Sequence, residues 1–267
     1  MRGFIEQVEG FIFDLDGTLY LGNVGLPYGI EAVALARLRG SKVAFLTNNA
    51  LHHRRHFAEK LTSMGIPATV SEVTTSARGT AVWLRENFPA SSLTAYVVGE
   101  EGLFQELSEV GVEIRSDLPV DFVVVGLDRT FSYEKLSVAQ KAILNGARFI
   151  ATNADPVLPT ENGLTPGGGS IVAAIACATR TKPRIIGKPR AHLVRQILAG
   201  WEISPERCLL IGDGLNSDVA AARASRVRSA LVLTGVSSRE EVERTEPRRR
   251  PDLVFEDLGQ FCLRIGG

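Results

Sequence analysis

Short apolar runs recur along this chain, each closed by small or polar residues and followed by a stretch of helical spacing. Phe11–Phe13 leads into Asp14 and Asp16, Lys42–Leu46 into Thr47, Asn48 and Asn49, and Cys208–Ile211 into Asp213. Between the last two lie TAYVVG, DFVVVG and ARFIATN, with helical patterns at Glu101–Val110, Tyr133–Leu144 and Ile171–Ala178. Runs this short, bounded by turn residues, read as buried strands. Strands alternating with helices imply a mainly parallel α/β sheet, since parallel neighbours need a crossover between them. Ligands of such sheets meet the carboxyl ends of the strands. The polar residues that close the runs are therefore the candidates for chemistry.

Composition narrows the partners. Thirty basic residues balance thirty acidic ones among 267, which gives no support for nucleic acid or an anionic membrane surface. The three cysteines, Cys177, Cys208 and Cys262, fit no metal spacing; Cys177 and Cys208 lie in apolar runs and read as buried thiols. The N-terminus carries a single Arg2 with no apolar signal segment after it, and no run approaches a membrane span. The expectation is a cytoplasmic protein.

Asp14 and Asp16 stand two apart at a strand end, so an extended backbone would aim both carboxylates at one spot. Two acids so placed repel unless a proton or a cation sits between them. A calcium loop is a poor fit: Thr18 offers an oxygen at the fifth position, but Leu19 and Gly25 occupy positions where that loop needs Gly and Glu. Thr47 and Asn48 offer a hydroxyl and an amide suited to phosphate oxygens, or equally a helix N-cap. His52, His53 and His56 suggest a metal, but no acid or Cys completes a ligand set nearby and Arg54 and Arg55 intervene; a solvated helix face is expected. Lys188 precedes a helix start, and Pro189 suits the first turn of that helix. Asp218 lies five residues beyond Asp213, in the opening turn of the next helix. The Gly167–Gly169 run lacks dinucleotide spacing and reads as part of a Pro- and Gly-rich loop, Asp155–Gly169. Together, four strand ends supply carboxylates for a hard cation, donors for phosphate and one fixed positive charge.

In that order, DLDGT, TNN, GKP and GDGLNSD resemble the four motifs of the haloacid dehalogenase-like (HAD) phosphatases, over essentially the whole chain. The insert between the second and third motifs is similar to the α/β cap of the NagD / 4-nitrophenylphosphatase branch (type II, subclass A). The resemblance implies an α/β fold with a Rossmann-like parallel-sheet core, residues 1–91 and 184–267, and a smaller α/β cap, residues 92–183. It implies a Mg²⁺-dependent phosphatase acting on small-metabolite phosphomonoesters through an aspartyl-phosphate, with 4-nitrophenyl phosphate as an artificial substrate. Asp14 would be the nucleophile, Asp16 the acid and base, and Lys188 the neutralising charge. Thr47, Asn48 and Asn49 would hold phosphate. Asp14, the Asp16 carbonyl and Asp213 would hold Mg²⁺, with Asp218 orienting the metal. Asn153 and Asp155, on a cap loop, would meet the leaving group, or serve only as turn residues. Gly214 and Asn216 stand where several relatives carry an Arg and an Asp, or other polar residues, and Leu158 stands near a His carried by the relative that acts on pyridoxal phosphate. Glycerol phosphate, phosphoglycolate, nucleoside monophosphates and sugar phosphates stay open, as do a phosphotransferase or mutase and a non-catalytic phospho-ligand binder. Pairing of two copies through the cap follows from the same resemblance.

Overall fold

The computed structural model describes residues 5–89, 92–160 and 163–266, the side chains at 159 and 160 excepted. The segment around Arg2 and the loop residues Glu161 and Asn162 lie outside them. In chain order come β1 (Gly10–Asp14), a hairpin of β2 (Tyr20–Leu21) and β3 (Val24–Gly25), α1 (Gly29–Leu38), β4 (Lys42–Thr47), α2 (Arg54–Ser63), β5 (Val73–Thr75) and α3 (Ser76–Asn87). Then follow β6 (Leu93–Val98), α4 (Glu101–Glu109), β7 (Val112–Ile114), β8 (Phe122–Val125), α5 (Tyr133–Leu144), β9 (Arg148–Ala151), β10 (Val157–Thr160), β11 (Gly163–Pro166), α6 (Gly168–Thr179) and β12 (Arg184–Ile185). The last part holds α7 (His192–Trp201), β13 (Cys208–Gly212), α8 (Ala220–Ser225), β14 (Arg228–Val232), α9 (Arg239–Arg244), β15 (Leu253–Phe255) and α10 (Leu258–Gly266).

The chain forms two compact units, and the fold is α/β with a smaller α/β unit inserted into a parallel-sheet core. The first unit comprises residues 1–47, 57–74 and 188–267; the second takes 48–56 and 75–187, wider than the 92–183 insert expected from sequence. A six-stranded sheet runs β15-β14-β13-β1-β4-β5, with β1 at its interior pairing in parallel with both β13 and β4. Its central strands β1 and β13 are buried at every residue, as a parallel sheet covered on both faces requires. Phe11, Phe13, Phe45, Leu209, Ile211 and Phe261 belong to one buried cluster. Register then sets the chemistry: Asp14 lies opposite Leu46, so Thr47 is the next residue along β4, and Phe13 lies opposite Ile211, so Asp213 emerges at the same sheet edge.

The second unit has its own five-stranded sheet, β12-β9-β8-β6-β7, parallel in every pair, over a core that includes Val123, Val125, Phe149 and Ile175. Two of its helices start on side-chain caps as the sequence favours: Thr75 Oγ1 accepts the Arg78 N–H at 3.0 Å and Ser132 Oγ that of Lys135 at 3.3 Å. Three sequence expectations are corrected. The loop 155–169 contains the antiparallel pair β10–β11, with Leu158 opposite Thr165. Cys177 is exposed, since α6 buries Ile171, Val172, Ile175 and Thr179 and turns position 177 the other way. Pro189 lies in a turn ahead of α7, not in its first turn.

Phe261 makes edge-to-face contacts with Phe11, Phe13 and Phe255 at 5.9–6.1 Å between ring centres. Phe261→Ala is expected to cost about 3–5 kcal/mol, read as an earlier urea transition of the first unit. Burial works against ionisation of Asp252, but the Ser229 N–H at 2.9 Å and the Arg228 guanidinium at 2.7 Å outweigh it and hold the carboxyl below its ordinary range. A carboxyl depressed in the folded state adds stability above its unfolded pKa of about 3.9 and loses it as pH falls through the folded value. Asp252→Asn should therefore destabilise at pH 7 and progressively less below pH ~4, measured by urea denaturation of both proteins across that range.

Candidate active site

At the carboxyl edge of the six-stranded sheet, Asp14, Asp213 and Asp218 each bring one carboxylate oxygen within 4.8 Å of the others, and all three are buried. Asp14 ends β1; Asp213 follows β13. Asp218 sits in a widened helical turn, Leu215–Val219, where the N–H groups of Asp218 and Val219 both reach the Gly214 carbonyl. Lys188 lies between two of these acids, its Nζ donating to Asp14 Oδ1 at 2.6 Å and to Asp218 Oδ1 at 2.7 Å. Asp218 Oδ2 also accepts the Gly214 N–H at 3.0 Å and the Ser217 hydroxyl at 3.1 Å. Asp213 Oδ2 accepts the Val236 N–H at 2.7 Å.

Burial raises the pKa of Asp14, and the neighbouring Asp218 and Asp213 raise it further against the pull of Lys188. Burial and Asp218 push Asp213 up to about 6, opposed by the Val236 N–H and Lys188. Burial alone would discharge Lys188, but Asp14 and Asp218 keep it protonated well above the ordinary lysine range. Three buried acids thus share one ammonium, an excess of negative charge that a small divalent cation would relieve. All the donors are carboxylate oxygens, the hard ligand type that Mg²⁺ prefers, so the residues fit that ion.

The chain matches a family model described as haloacid dehalogenase-like hydrolase over residues 11–113, and a HAD-hydrolase-like model over 185–261. It is 36% identical over 261 residues to the 5'-nucleotidase YutF of Bacillus subtilis, covering 98% of this chain and 100% of that protein. The chain belongs to the haloacid dehalogenase-like hydrolases. Among solved structures it is similar to the 4-nitrophenylphosphatase of Thermotoga maritima (33% identity, 97% and 98% of the two chains, TM-score 0.92). It is also similar to the glycerol phosphate phosphatase of Mycobacterium tuberculosis in complex with magnesium (35% identity, 98% and 77%, TM-score 0.89).

Within this HAD-like site the remaining residues separate. The strand stops at Asp14, and the N–H groups of Thr18, Leu19 and Tyr20 all turn back to the Leu15 carbonyl. Asp16 stands at the start of that turn and is not one of the three converging acids, yet Lys188 still acts on its carboxyl. Thr47 is buried at the end of β4. Asn48 and Asn49 open the 48–56 segment of the second unit, where Asn48 Nδ2 donates to Asp155 Oδ2 at 2.8 Å and Asn49 Oδ1 accepts the Leu51 N–H at 2.9 Å. Asn153 uses both ends of its amide locally: Nδ2 donates to the Asn48 carbonyl at 2.7 Å and Oδ1 accepts the Asp155 N–H at 3.2 Å. Sequence reasoning missed the contributions of Gly214, Ser217 and Val236. Two of these are backbone N–H groups, which carry no residue-type signal.

A second cluster corrects the expectation of a solvated helix face at His53, whose side chain is largely buried. In the second unit, His53 Nε2 lies 3.0 Å from Glu109 and 3.4 Å from the fully buried Glu106. Arg54 pairs with both glutamates and Arg78 stands 3.7–3.8 Å from them, so two cations already balance two acids. The Arg55 N–H points at His53 Nδ1 at 3.2 Å, which makes Nδ1 the acceptor and leaves the ring proton on Nε2, where a metal would need a lone pair. The cluster is an ion-pair network. Glu106→Gln is expected to destabilise the protein by about 2 kcal/mol by leaving Arg54 undercompensated, read from chemical denaturation at neutral pH.

Proposed function

We propose that this chain is a Mg²⁺-dependent phosphoric monoester hydrolase acting on small phosphorylated metabolites through an aspartyl-phosphate. The observation that carries the reading is the buried set of Asp14, Asp213 and Asp218 with Lys188 wedged between two of them. Mg²⁺ held by Asp14 and Asp213, with the Asp16 carbonyl, would supply charge neutralisation for a phosphoryl group. Asp218 fixes Lys188 and so orients the group around it. Asp14 attacks phosphorus while the bond to the leaving oxygen breaks, and Asp16 delivers a proton to that oxygen. Water then attacks the phosphorus of the aspartyl-phosphate. Asp16 takes the water's proton, and Asp14 is regenerated as inorganic phosphate departs. Their surroundings support this division of labour: Asp14 is enclosed against a cation, whereas Asp16 is open to solvent and can exchange protons.

Thr47, Asn48 and Asn49 supply the hydroxyl and amide donors for phosphate oxygens in this reading. The 92–183 insert is the substrate-selecting cap of a core formed by 1–91 and 184–267, with Asn153 and Asp155 in the loop that meets the leaving group. The names of the relatives (a 5'-nucleotidase, a 4-nitrophenylphosphatase and a glycerol phosphate phosphatase) support a phosphomonoester of modest size. No helix among the described residues is long and apolar enough to cross a membrane, and the three cysteines are free thiols, which supports a cytoplasmic place of action. Pairing of two copies through the insert rests on the family resemblance.

The test is phosphate release from 4-nitrophenyl phosphate with and without Mg²⁺, beside Asp14→Asn. Turnover is expected only with Mg²⁺, and the variant should lose at least ~10³-fold in kcat. Turnover retained in the variant would remove Asp14 from the reaction. Turnover that requires an added alcohol acceptor would make the protein a phosphotransferase.

A further inference from the structure

The loop that follows β14, Thr234–Ser237, belongs to none of the four strand-end motifs, yet each of its residues acts on them. Thr234 Oγ1 donates to the Gly17 carbonyl at 2.6 Å, in the turn after β1. The Val236 N–H donates to Asp213 Oδ2 at 2.7 Å, and Ser237 Oγ accepts the Leu215 N–H at 3.0 Å. Gly235 packs directly on the Asp213 carboxylate: a Cβ there would lie 1.9 Å from Oδ2, 2.5 Å from Cγ and 2.7 Å from Cβ of Asp213. From the other side, a Cβ on Gly17 would lie 2.4 Å from the same oxygen. The Asp213 side chain is thus held between two glycines from two different loops, with one backbone N–H fixing Oδ2.

Gly235 has no conformational need to be glycine. Its φ lies outside the left-handed region, and the residue is exposed to solvent, so neither backbone strain nor core packing excludes a side chain. What excludes one is the Asp213 carboxylate. A methyl group at position 235 must displace that carboxylate, and because the contact reaches the Asp213 Cβ it must also shift the 234–237 loop slightly away from it.

We infer that Thr234–Ser237 is a positioning clasp for the cation site, with Gly235 setting the orientation in which Asp213 presents its remaining oxygen alongside Asp14 and Asp218. The inference rests on the Mg²⁺ reading above and adds residues to it. Groups that orient a metal ligand without touching the metal typically contribute 10- to 100-fold in metal affinity.

The experiment is calorimetric titration of the full-length protein with Mg²⁺ alone, together with the melting temperature of the metal-free protein. Gly235→Ala is expected to raise the Mg²⁺ Kd roughly 10- to 100-fold while metal-free melting stays within about 2 °C of wild type. Thr234→Val, which removes only the bond to Gly17, should weaken binding by a few-fold, about 3, and Thr234→Ser should restore it. Unchanged Mg²⁺ affinity in Gly235→Ala would overturn the clasp while leaving the metal reading intact. A loss of affinity that tracks a matching fall in metal-free melting would also overturn it, since a merely structural loop behaves that way. Absence of Mg²⁺ binding in the wild type would overturn the metal reading itself and the clasp with it.

Discussion

The site depends on one buried ammonium. Lys188 is almost completely enclosed and touches Asp14 and Asp218 at hydrogen-bonding distance, and both acids are enclosed as well. Removing such ions from water costs several kcal/mol each, and only short, well-directed contacts offset it. Lys188 meets two of the three acids directly, while Asp213 is held by a backbone N–H. The folded chain therefore holds more carboxyl groups than cations at a place where solvent cannot screen charge, and the raised pKa values of Asp14 and Asp213 register the conflict. The sheet and its aromatic core supply the stability that makes the excess tolerable.

The same sheet explains why these groups meet. Asp14, Thr47 and Asp213 come from three neighbouring parallel strands whose register leaves them at one edge, although they are up to two hundred residues apart in sequence. Lys188 reaches that edge from the turn that opens the last segment of the first unit, immediately after the inserted unit ends. Insertion between Thr74 and Lys188 lets a second sheet with its own core grow without disturbing the strand order β13-β1-β4. Topology, more than any single contact, fixes the constellation.

Much of this was legible in the sequence because an apolar run that ends in Asp, Thr or Asn states both the strand and its functional end. The boundaries of α3 and α5 follow from their caps, Thr75 and Ser132. Other features are set by distant partners and leave no local trace. The turn that follows Asp16 is closed by the N–H groups of Thr18, Leu19 and Tyr20 on the Leu15 carbonyl, which the residue types of DLDGT do not specify. The hairpin of β10 and β11 lies in a stretch whose Pro and Gly content speaks for irregular loop. His53 meets Glu106 and Glu109 only after some fifty residues have folded back upon it. The hold on Asp213 comes from a backbone N–H and two glycines, and none of these announces itself by residue type.

The two charged clusters separate structure from chemistry by the same rule. Around Glu106 the acids number as many as the arginines that face them. Around Asp14 the acids outnumber the single lysine, and the surplus persists although a neutral residue at Asp213 would cost the fold less. A balanced buried cluster can be explained by packing alone. An unbalanced one requires something that arrives from outside, and a divalent cation with a phosphate is what three converging carboxylates, one ammonium and a threonine hydroxyl at a shared sheet edge are chemically suited to receive.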